Sequence, residues 1–165
     1  MRRVVATQVL ILPLDAGSWP PPAAAIDIDG LRLAPKPELH ITLVGTALGA
    51  ELQATFGSRA NAITRGIHDA QDWHFERSGE RLLLRKAFVE DGRAVVAHSV
   101  IERIELPAMA RFHRALGRLL GRQLPVPPPH VTLYTAGRAS GIGVSSAARL
   151  RAFTVRTLAA HESGR

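Results

Sequence analysis

The sequence predicts an α+β fold of two pseudo-symmetric lobes, each a small, mainly antiparallel sheet backed by a helix, with a central cleft between them. Short apolar segments with strand character alternate with turn residues, and two longer segments have helical spacing. In addition, the segment His-Ile-Thr-Leu at residues 40–43 returns as His-Val-Thr-Leu at residues 130–133. Similar elements surround each copy, which is the outline of an internal duplication.

The first half of the chain predicts a strand, a loop, a strand and a helix. Residues 4–12 are apolar at nearly every position, which is typical of a central strand covered on both faces. Residues 15–37 are rich in Pro, Ala and Asp with little periodicity, and we expect a long loop there, a flexible lip over the cleft. A strand over 39–44 and a helix over 50–67 follow, with Gly57 as the weak point of the helix.

The second half predicts mostly strands, separated by two turns. The turns are expected at Ser78-Gly79 and Asp91-Gly92. Pro107 begins a second helix where its missing N–H costs least, and Gly121 lies near the end of that helix. The strands are expected over residues 72–76, 81–88, 93–102, the second motif, and, after a Gly/Ser loop, 150–158.

Composition limits the class of protein. A chain of 165 residues that is 46% hydrophobic can bury one core, so we expect a single domain over residues 1–165. No apolar run is long enough to span a membrane, and the start of the chain leads into a strand without a cleavage site. We therefore expect a cytoplasmic monomer that does not bind membranes. The net charge of +7 and the pI near 11.3 favour anionic partners such as nucleic acid or nucleotides.

The repeated motif predicts acid–base chemistry on a phosphodiester. Side chains alternate along a strand, so His40 and Thr42 share one face, as do His130 and Thr132. Two imidazoles that face one site can divide the work of general base and general acid, while the hydroxyls bind the non-bridging oxygens. This scheme requires neither a metal nor a cofactor. The His-x-Thr spacing lacks the ligands of a zinc site, and the absence of Cys excludes thiol chemistry.

With these two motifs and the spacing between them, the chain resembles the 2H phosphoesterases, which include 2′-5′ RNA ligase-like proteins and RNA 2′,3′-cyclic phosphodiesterases. The resemblance rests on residues 40–43 and on Pro-His-Val-Thr-Leu at 129–133, and it extends to the N-terminal strand, to Gly45 and to the helix before the second motif. It implies a duplicated α+β fold with a central cleft, catalysis by the two histidines and phosphate binding by the two threonines.

Three functions follow as alternatives. The first is a metal-independent cyclic phosphodiesterase that acts on 2′,3′-cyclic phosphates at RNA ends or on nucleotides. Its base is His130 and its acid is His40, or, because the two motifs are nearly symmetric, the roles are exchanged. The reverse reaction is that of a 2′-5′ RNA ligase. The second is a non-catalytic nucleotide- or RNA-binding module, in which the same polar residues only hold a phosphate. The third is a general RNA-binding protein whose affinity depends on its basic surface and on salt.

Other residues are interpreted from their position alone. Tyr134 lies two residues beyond Thr132, hence on the face of His130, where it would either stack on a base or sugar of the substrate or pack on a loop at the rim of the cleft. A basic stripe on the second helix is interpreted as a solvated face. A second basic group is a candidate for one wall of the cleft, and the remaining histidines are interpreted as structural or surface residues. The members of these three groups are Arg111, Arg114, Arg118 and Arg122; Arg81, Arg85 and Lys86; and His68, His74, His98, His113 and His161.

Overall fold

The computed structural model describes residues 9–162, which form an α+β fold of antiparallel sheets. The strands are β1 (Leu10–Pro13), β2 (Ile26–Ile28), β3 (Leu31–Pro35), β4 (His40–Val44), β5 (Glu76–Glu90), β6 (Arg93–Glu105), β7 (His130–Ala136) and β8 (Thr154–Thr157). The helices are α1 (Thr46–Phe56), α2 (Ala60–Asp69), α3 (Pro107–Leu120) and α4 (Ala147–Phe153). No helix within residues 9–162 is long and apolar enough to cross a membrane.

Two sheets divide the strands and separate the two motif copies. β1 pairs with β4, which carries the first motif. The second sheet has the order β2-β3-β7-β6-β5-β8, so β7, with the second motif, lies inside it. Every pair of neighbouring strands is antiparallel, which confirms the predicted α+β class with mainly antiparallel sheets.

Two apolar clusters cover the opposite faces of the larger sheet. Leu83 belongs to the main cluster, whereas Leu82 and Leu84 belong to a smaller one. Because neighbouring residues of a strand point to opposite faces, the two clusters lie on opposite sides of the sheet. The main cluster includes buried side chains of α1 and α3, such as Leu52 and Phe112, and the smaller cluster includes Leu150 of α4. α1 and α3 therefore pack on the main-cluster face, and Ile67 of α2 contacts the same cluster.

The predicted loop over residues 15–37 is wrong in its second half, where β2 and β3 form a hairpin. Asp29 and Gly30 at its tip both have positive φ, 52° and 79°, which is the conformation of a tight hairpin turn. Ile28 and Leu33 of this hairpin are buried in the main cluster. The Asp-Gly pair was the available signal, but the strands on either side are too short to show a clear alternation.

The N-terminal strand differs from its prediction in burial. In the described part of the predicted strand, β1 alternates between half-buried and exposed residues, and Ile11 is 41% exposed. Full coverage on both faces is therefore wrong for this part, because β1 pairs with β4 alone among the described strands. Residues 4–8 lie outside the described residues.

The helix predicted over 50–67 is divided at its weak point. α1 ends at Phe56, Gly57 has a φ of +57°, and a short 3-10 turn leads into α2. α3 begins at Pro107 and ends before Gly121, which adopts the left-handed conformation that caps a helix. Both helix boundaries of the second segment are therefore confirmed.

Three strand predictions need correction. Residues 72–75 lie outside any strand, and β5 begins at Glu76. Ser78 and Gly79 do not end that strand, because an irregularity between Arg77 and Arg81 absorbs them into a single long hairpin with β6. The expected strand over 150–158 is helical until Phe153, since Ser146 caps the backbone N–H of Arg149 and begins α4. The turn at Asp91-Gly92 is confirmed.

Candidate functional site

The structure brings the two motif strands side by side. β4 and β7 belong to different sheets but are in contact, and the charges of His40 and His130 interact. Both imidazoles are half-buried, Thr42 is exposed and Thr132 is half-buried. The paired histidines thus lie close together, as the repeated motif predicts.

Both motif strands contain the same local irregularity. In β4, Thr42 is opposite Ile11 of β1 while Val44 is opposite Leu10, so Leu43 is an inserted residue without its own partner. In β7, Thr132 is opposite Ile101 of β6 while Tyr134 is opposite Val100, so Leu133 is inserted in the same way. Such a β-bulge shifts the alternation of side chains by one residue.

The bulge explains why each motif ends in Leu. Ile41, Leu43 and Val44 are all buried, and so are the matching residues Val131, Leu133 and Tyr134. The inserted Leu and the residue after it both enter the core, whereas His and Thr remain on the more accessible side. The two copies therefore share their backbone geometry as well as their sequence.

The backbone next to the second motif orients His130. Its Nδ1 lies 2.8 Å from the carbonyl oxygen of Pro128. A carbonyl can only accept, so Nδ1 carries the hydrogen, and the lone pair of the neutral imidazole is on Nε2. His130 is thereby prepared to accept a proton through Nε2.

Burial and neighbouring charges favour the neutral form of both imidazoles. Burial lowers the pKa of His130, and the charge of His40 lowers it further, against the effect of the Pro128 carbonyl. Burial also lowers the pKa of His40, helped by the positive charge of Lys36 and opposed by Glu38. Because each protonated imidazole disfavours protonation of the other, both histidines of the free protein are positive only at low pH.

A glycine loop lies over Thr132. Gly141 has a φ of +77°, and a methyl group added there would lie 3.4 Å from Cγ2 of Thr132 and 3.7 Å from Oγ of Ser99. Ser99 is fully buried, and its hydroxyl has no hydrogen-bond partner among residues 9–162. Ser99 was not predicted as a site residue, and no sequence pattern distinguishes it from an ordinary strand serine.

Lys36 is a further site residue that the sequence analysis missed. Its backbone N–H donates to the carbonyl of Leu133, at 2.8 Å, and its ammonium donates to the carbonyl of Ala139, at 2.9 Å. Together with its effect on His40, these contacts place Lys36 beside both motif strands and the glycine loop. Its only signal in the sequence is that lysine is rare here: the chain has two lysines among its 21 Lys and Arg residues.

Tyr134 does not share the face of His130, so that expectation is wrong. Thr132 and Tyr134 are opposite Ile101 and Val100, two neighbours on β6 whose side chains point to opposite faces. Tyr134 is 2% exposed and belongs to the main apolar cluster. Burial raises the pKa of its hydroxyl. The bulge at Leu133 is the physical reason.

Two of the basic residues singled out in the sequence lie away from the paired histidines. Lys86 is opposite Ala97 on β6, six residues from Arg103, which is opposite His130, and its ammonium lies over aromatic rings. Arg81 is 7% exposed and donates to the buried carboxylate of Glu102, at 3.0 Å, which Arg77 also contacts through two bonds of 2.7 and 2.9 Å. Arg81 is thus part of a buried ion-pair cluster on the face of Tyr134 and does not line the wall between the motifs. Arg111, Arg114 and Arg118 are exposed on α3, as predicted, but Arg122 lies beyond the end of that helix and its guanidinium forms an ion pair with Glu51.

In the part of the chain that the structure describes, no group of three or more His, Cys, Asp or Glu side chains could hold a metal ion. Comparison of the chain with family models, with curated proteins and with solved structures gives no match.

Proposed function

We propose that this protein is a metal-independent phosphodiesterase that opens 2′,3′-cyclic phosphates at RNA ends or on nucleotides, in the manner of the 2H phosphoesterases that it resembles. The observation that carries the proposal is the pairing of His40 with His130 on adjacent strands, each two residues before a threonine and three before a bulged leucine. Four polar side chains on two equivalent strands suit a small tetrahedral anion.

In the proposed reaction, Nε2 of His130 takes a proton from water, and the water oxygen attacks phosphorus. The bond between phosphorus and one ribose oxygen breaks, and protonated His40 donates its proton to that oxygen. The product is a phosphomonoester beside a free hydroxyl. Thr42 and Thr132 donate hydrogen bonds to the non-bridging oxygens as negative charge accumulates there. The carbonyl of Pro128 supports this assignment, since it holds the lone pair of His130 on Nε2.

The charges around the two histidines are compatible with one acid and one base. Burial is the main cause of the lowered pKa of each imidazole, so the protonated form of either ring is disfavoured in the free protein. A phosphodiester supplies one negative charge between the two rings, which raises the pKa of both. Substrate binding thereby creates the mixed protonation state that the reaction requires.

The proposed partners follow from this chemistry and from charge. The chain carries a net charge of +7, which attracts RNA ends and nucleotides. We infer a cytoplasmic, monomeric enzyme with no cofactor. The same site used in the opposite direction joins a 2′-hydroxyl to a cyclic phosphate, which is the ligase activity.

The deciding experiment incubates the protein, in EDTA, with a panel of substrates. The panel contains nucleoside 2′,3′-cyclic phosphates, RNA with a cyclic phosphate end, and 2′-5′ and 3′-5′ dinucleotides, and the products are identified by chromatography. We expect the cyclic phosphates to open to a monoester with one regioisomer in excess. Binding without any product in single-turnover conditions would identify a nucleotide-binding module instead. Affinity that ignores the RNA end and falls steeply with salt would indicate general RNA binding.

A further inference from the structure

Lys36 is a positive charge without a negative partner beside the paired histidines. No carboxylate in residues 9–162 forms an ion pair with it, and its ammonium contacts the neutral carbonyl of Ala139. By contrast, Arg103, which is opposite His130 in the β6–β7 register, forms an ion pair with Glu80 at 3.3 Å. Lys36 is therefore a cation of this region whose charge the protein itself does not neutralise.

The register places Lys36 on the side of the sheet where Thr132 lies. Ala34 is opposite Thr135 and Pro35 is opposite Tyr134, and the N–H of Lys36 continues this pairing to Leu133. Pro35 thus follows Tyr134 to the main-cluster face, and the next residue, Lys36, points to the other face. There its ammonium reaches the glycine loop that covers Thr132.

We propose that Lys36 is a phosphate-binding residue of this site, which exchanges the carbonyl of Ala139 for a non-bridging oxygen of the bound phosphate. The inference rests on the proposed function for the identity of the ligand. A phosphate oxygen offers the ammonium the attraction of an opposite charge in addition to the hydrogen bond, which the neutral carbonyl of Ala139 does not, so a bound phosphate draws Lys36 away from the loop. Ala139 is exposed, and water replaces the lost donor at its carbonyl at little cost.

The exchange also links substrate to the loop over Thr132. While the ammonium of Lys36 donates to the carbonyl of Ala139, this hydrogen bond connects residues 137–141 to the segment before β4. When the ammonium turns to phosphate, this connection opens. Lys36 thus neutralises the negative charge of the substrate in the ground state, whereas the histidines transfer protons during the reaction.

The test compares Lys36→Met, Lys36→Gln and Lys36→Arg with a matched control, Lys86→Met. Lys86 is the other lysine of the chain, and its ammonium lies over the rings of Phe88 and Phe153, at 4.4 and 5.1 Å from the ring centres. Inorganic phosphate is the binding probe, measured by titration calorimetry, and adenosine 2′,3′-cyclic phosphate is the substrate. Thermal unfolding checks that each variant is folded.

We expect Lys36→Met to weaken phosphate binding and to lower kcat/KM, each by about ten- to a hundredfold. Lys36→Arg keeps the charge and should retain most of the phosphate affinity and most of kcat/KM. Lys86→Met should match the wild type in both. Lys36→Gln is the decisive variant, because it can still donate to Ala139 without carrying a charge. Losses as large as those of Lys36→Met support charge recognition, whereas near wild-type behaviour would show that Lys36 only fastens the loop.

A second readout is the pH profile. The groups that act on His40 are Lys36, Glu38 and His130. Removal of the Lys36 charge should move one limb of the kcat/KM profile to higher pH, a change that loss of a merely structural contact would not cause. If the wild type turns over and Lys36→Met equals Lys86→Met, the role of Lys36 is refuted and the proposed function stands. If the wild type binds phosphate through Lys36 but never turns over, the proposed function fails and the role of Lys36 stands.

Discussion

Nδ1 of His130 lies 2.8 Å from the carbonyl oxygen of Pro128, two residues earlier in the chain. The contact joins two residues of one short segment, so it does not depend on how β4 and β7 lie against each other. It sets the tautomer of the ring and limits its rotation, as a backbone acceptor does behind many catalytic imidazoles.

Replacement of either histidine should remove most of the activity. His40→Ala and His130→Ala should each lower kcat by about a hundredfold or more, the usual contribution of a positioned acid or base. The double variant should be little worse than the weaker single variant, because the two groups act in one step. His74→Ala is the matched control, since His74 is exposed and lies outside the motifs. A folded His40 or His130 variant with near wild-type kcat would contradict the assignment.

The pH profile of kcat/KM should be a bell displaced towards acid. The pKa of each paired imidazole lies below its usual value of about 6.5, so the fraction of free enzyme with one neutral and one protonated ring is largest on the acid side of that value. The two limbs belong to the coupled pair. Initial rates at subsaturating substrate from pH 4 to 10 test this, and a rate that rises steadily beyond pH 9 would instead point to hydroxide as the nucleophile.

Chelation should leave the activity intact. In the proposed mechanism, the histidines and threonines supply proton transfer and charge stabilisation without a metal. Turnover of a cyclic phosphate should be unchanged within error after dialysis against EDTA. A loss that a divalent metal reverses would rule out the proposed mechanism.

Glu102 should matter for stability and not for chemistry. Burial alone raises the pKa of its carboxyl, but the hydrogen bonds and charges of Arg77 and Arg81 outweigh this and hold the pKa below its usual range. Glu102→Ala leaves the buried guanidinium of Arg81 without its carboxylate, and should cost about 3–5 kcal/mol of unfolding free energy. Glu80→Ala removes an exposed ion pair and should cost less than about 1 kcal/mol. Urea denaturation measures both, and equal losses would contradict the prediction.

His113 should make the fold less stable in mild acid. Burial lowers its pKa, although the carbonyls of Met109 and Leu43 partly oppose this. The folded pKa is thus below the unfolded one, so the stabilisation is present above about pH 6.5 and decreases as the pH falls towards the folded value. Each pKa unit of difference is worth about 1.4 kcal/mol. Urea denaturation at pH 7.5 and 5.5 should show that the free energy of unfolding decreases less for His113→Gln than for the wild type. An equal decrease in both proteins would exclude His113 as the cause of the acid sensitivity.

The parts of the fold that sequence could predict are those with local causes. Pro107 and Gly121 mark the ends of α3 through their backbone restrictions, and the Asp-Gly pair at 91–92 marks a turn. The β2–β3 hairpin was missed because its short strands become stable only by pairing with β7. The strand expected at 150–153 became a helix because the Ser146 cap and burial of Leu150 against β5 outweigh its apolar pattern.

The candidate site shows the same limit. The repeat identified the four polar residues of the motifs, since it needs only the period of a strand. Lys36 and Ser99 were missed because their place depends on pairing between distant segments. Tyr134 was placed on the wrong face because a bulge is a property of two strands together, although the unbroken Leu133-Tyr134 apolar pair contains a hint of it.

The bulges at Leu43 and Leu133 also limit what the strands can recognise. Without them, the residue after each Leu would extend the row that His and Thr begin. With them, two buried residues follow each Thr; the residue after these is Gly45 in the first copy, and in the second it is Thr135, which returns to the motif face opposite Ser99 but is itself buried. In the proposed site, the motif strands therefore contact the phosphate and offer no further accessible side chain for a base. Discrimination between nucleotides must come from the loops around them, which tolerate insertion and substitution far better than a paired strand. Two sequences with identical motifs and different loops would accordingly be expected to choose different substrates.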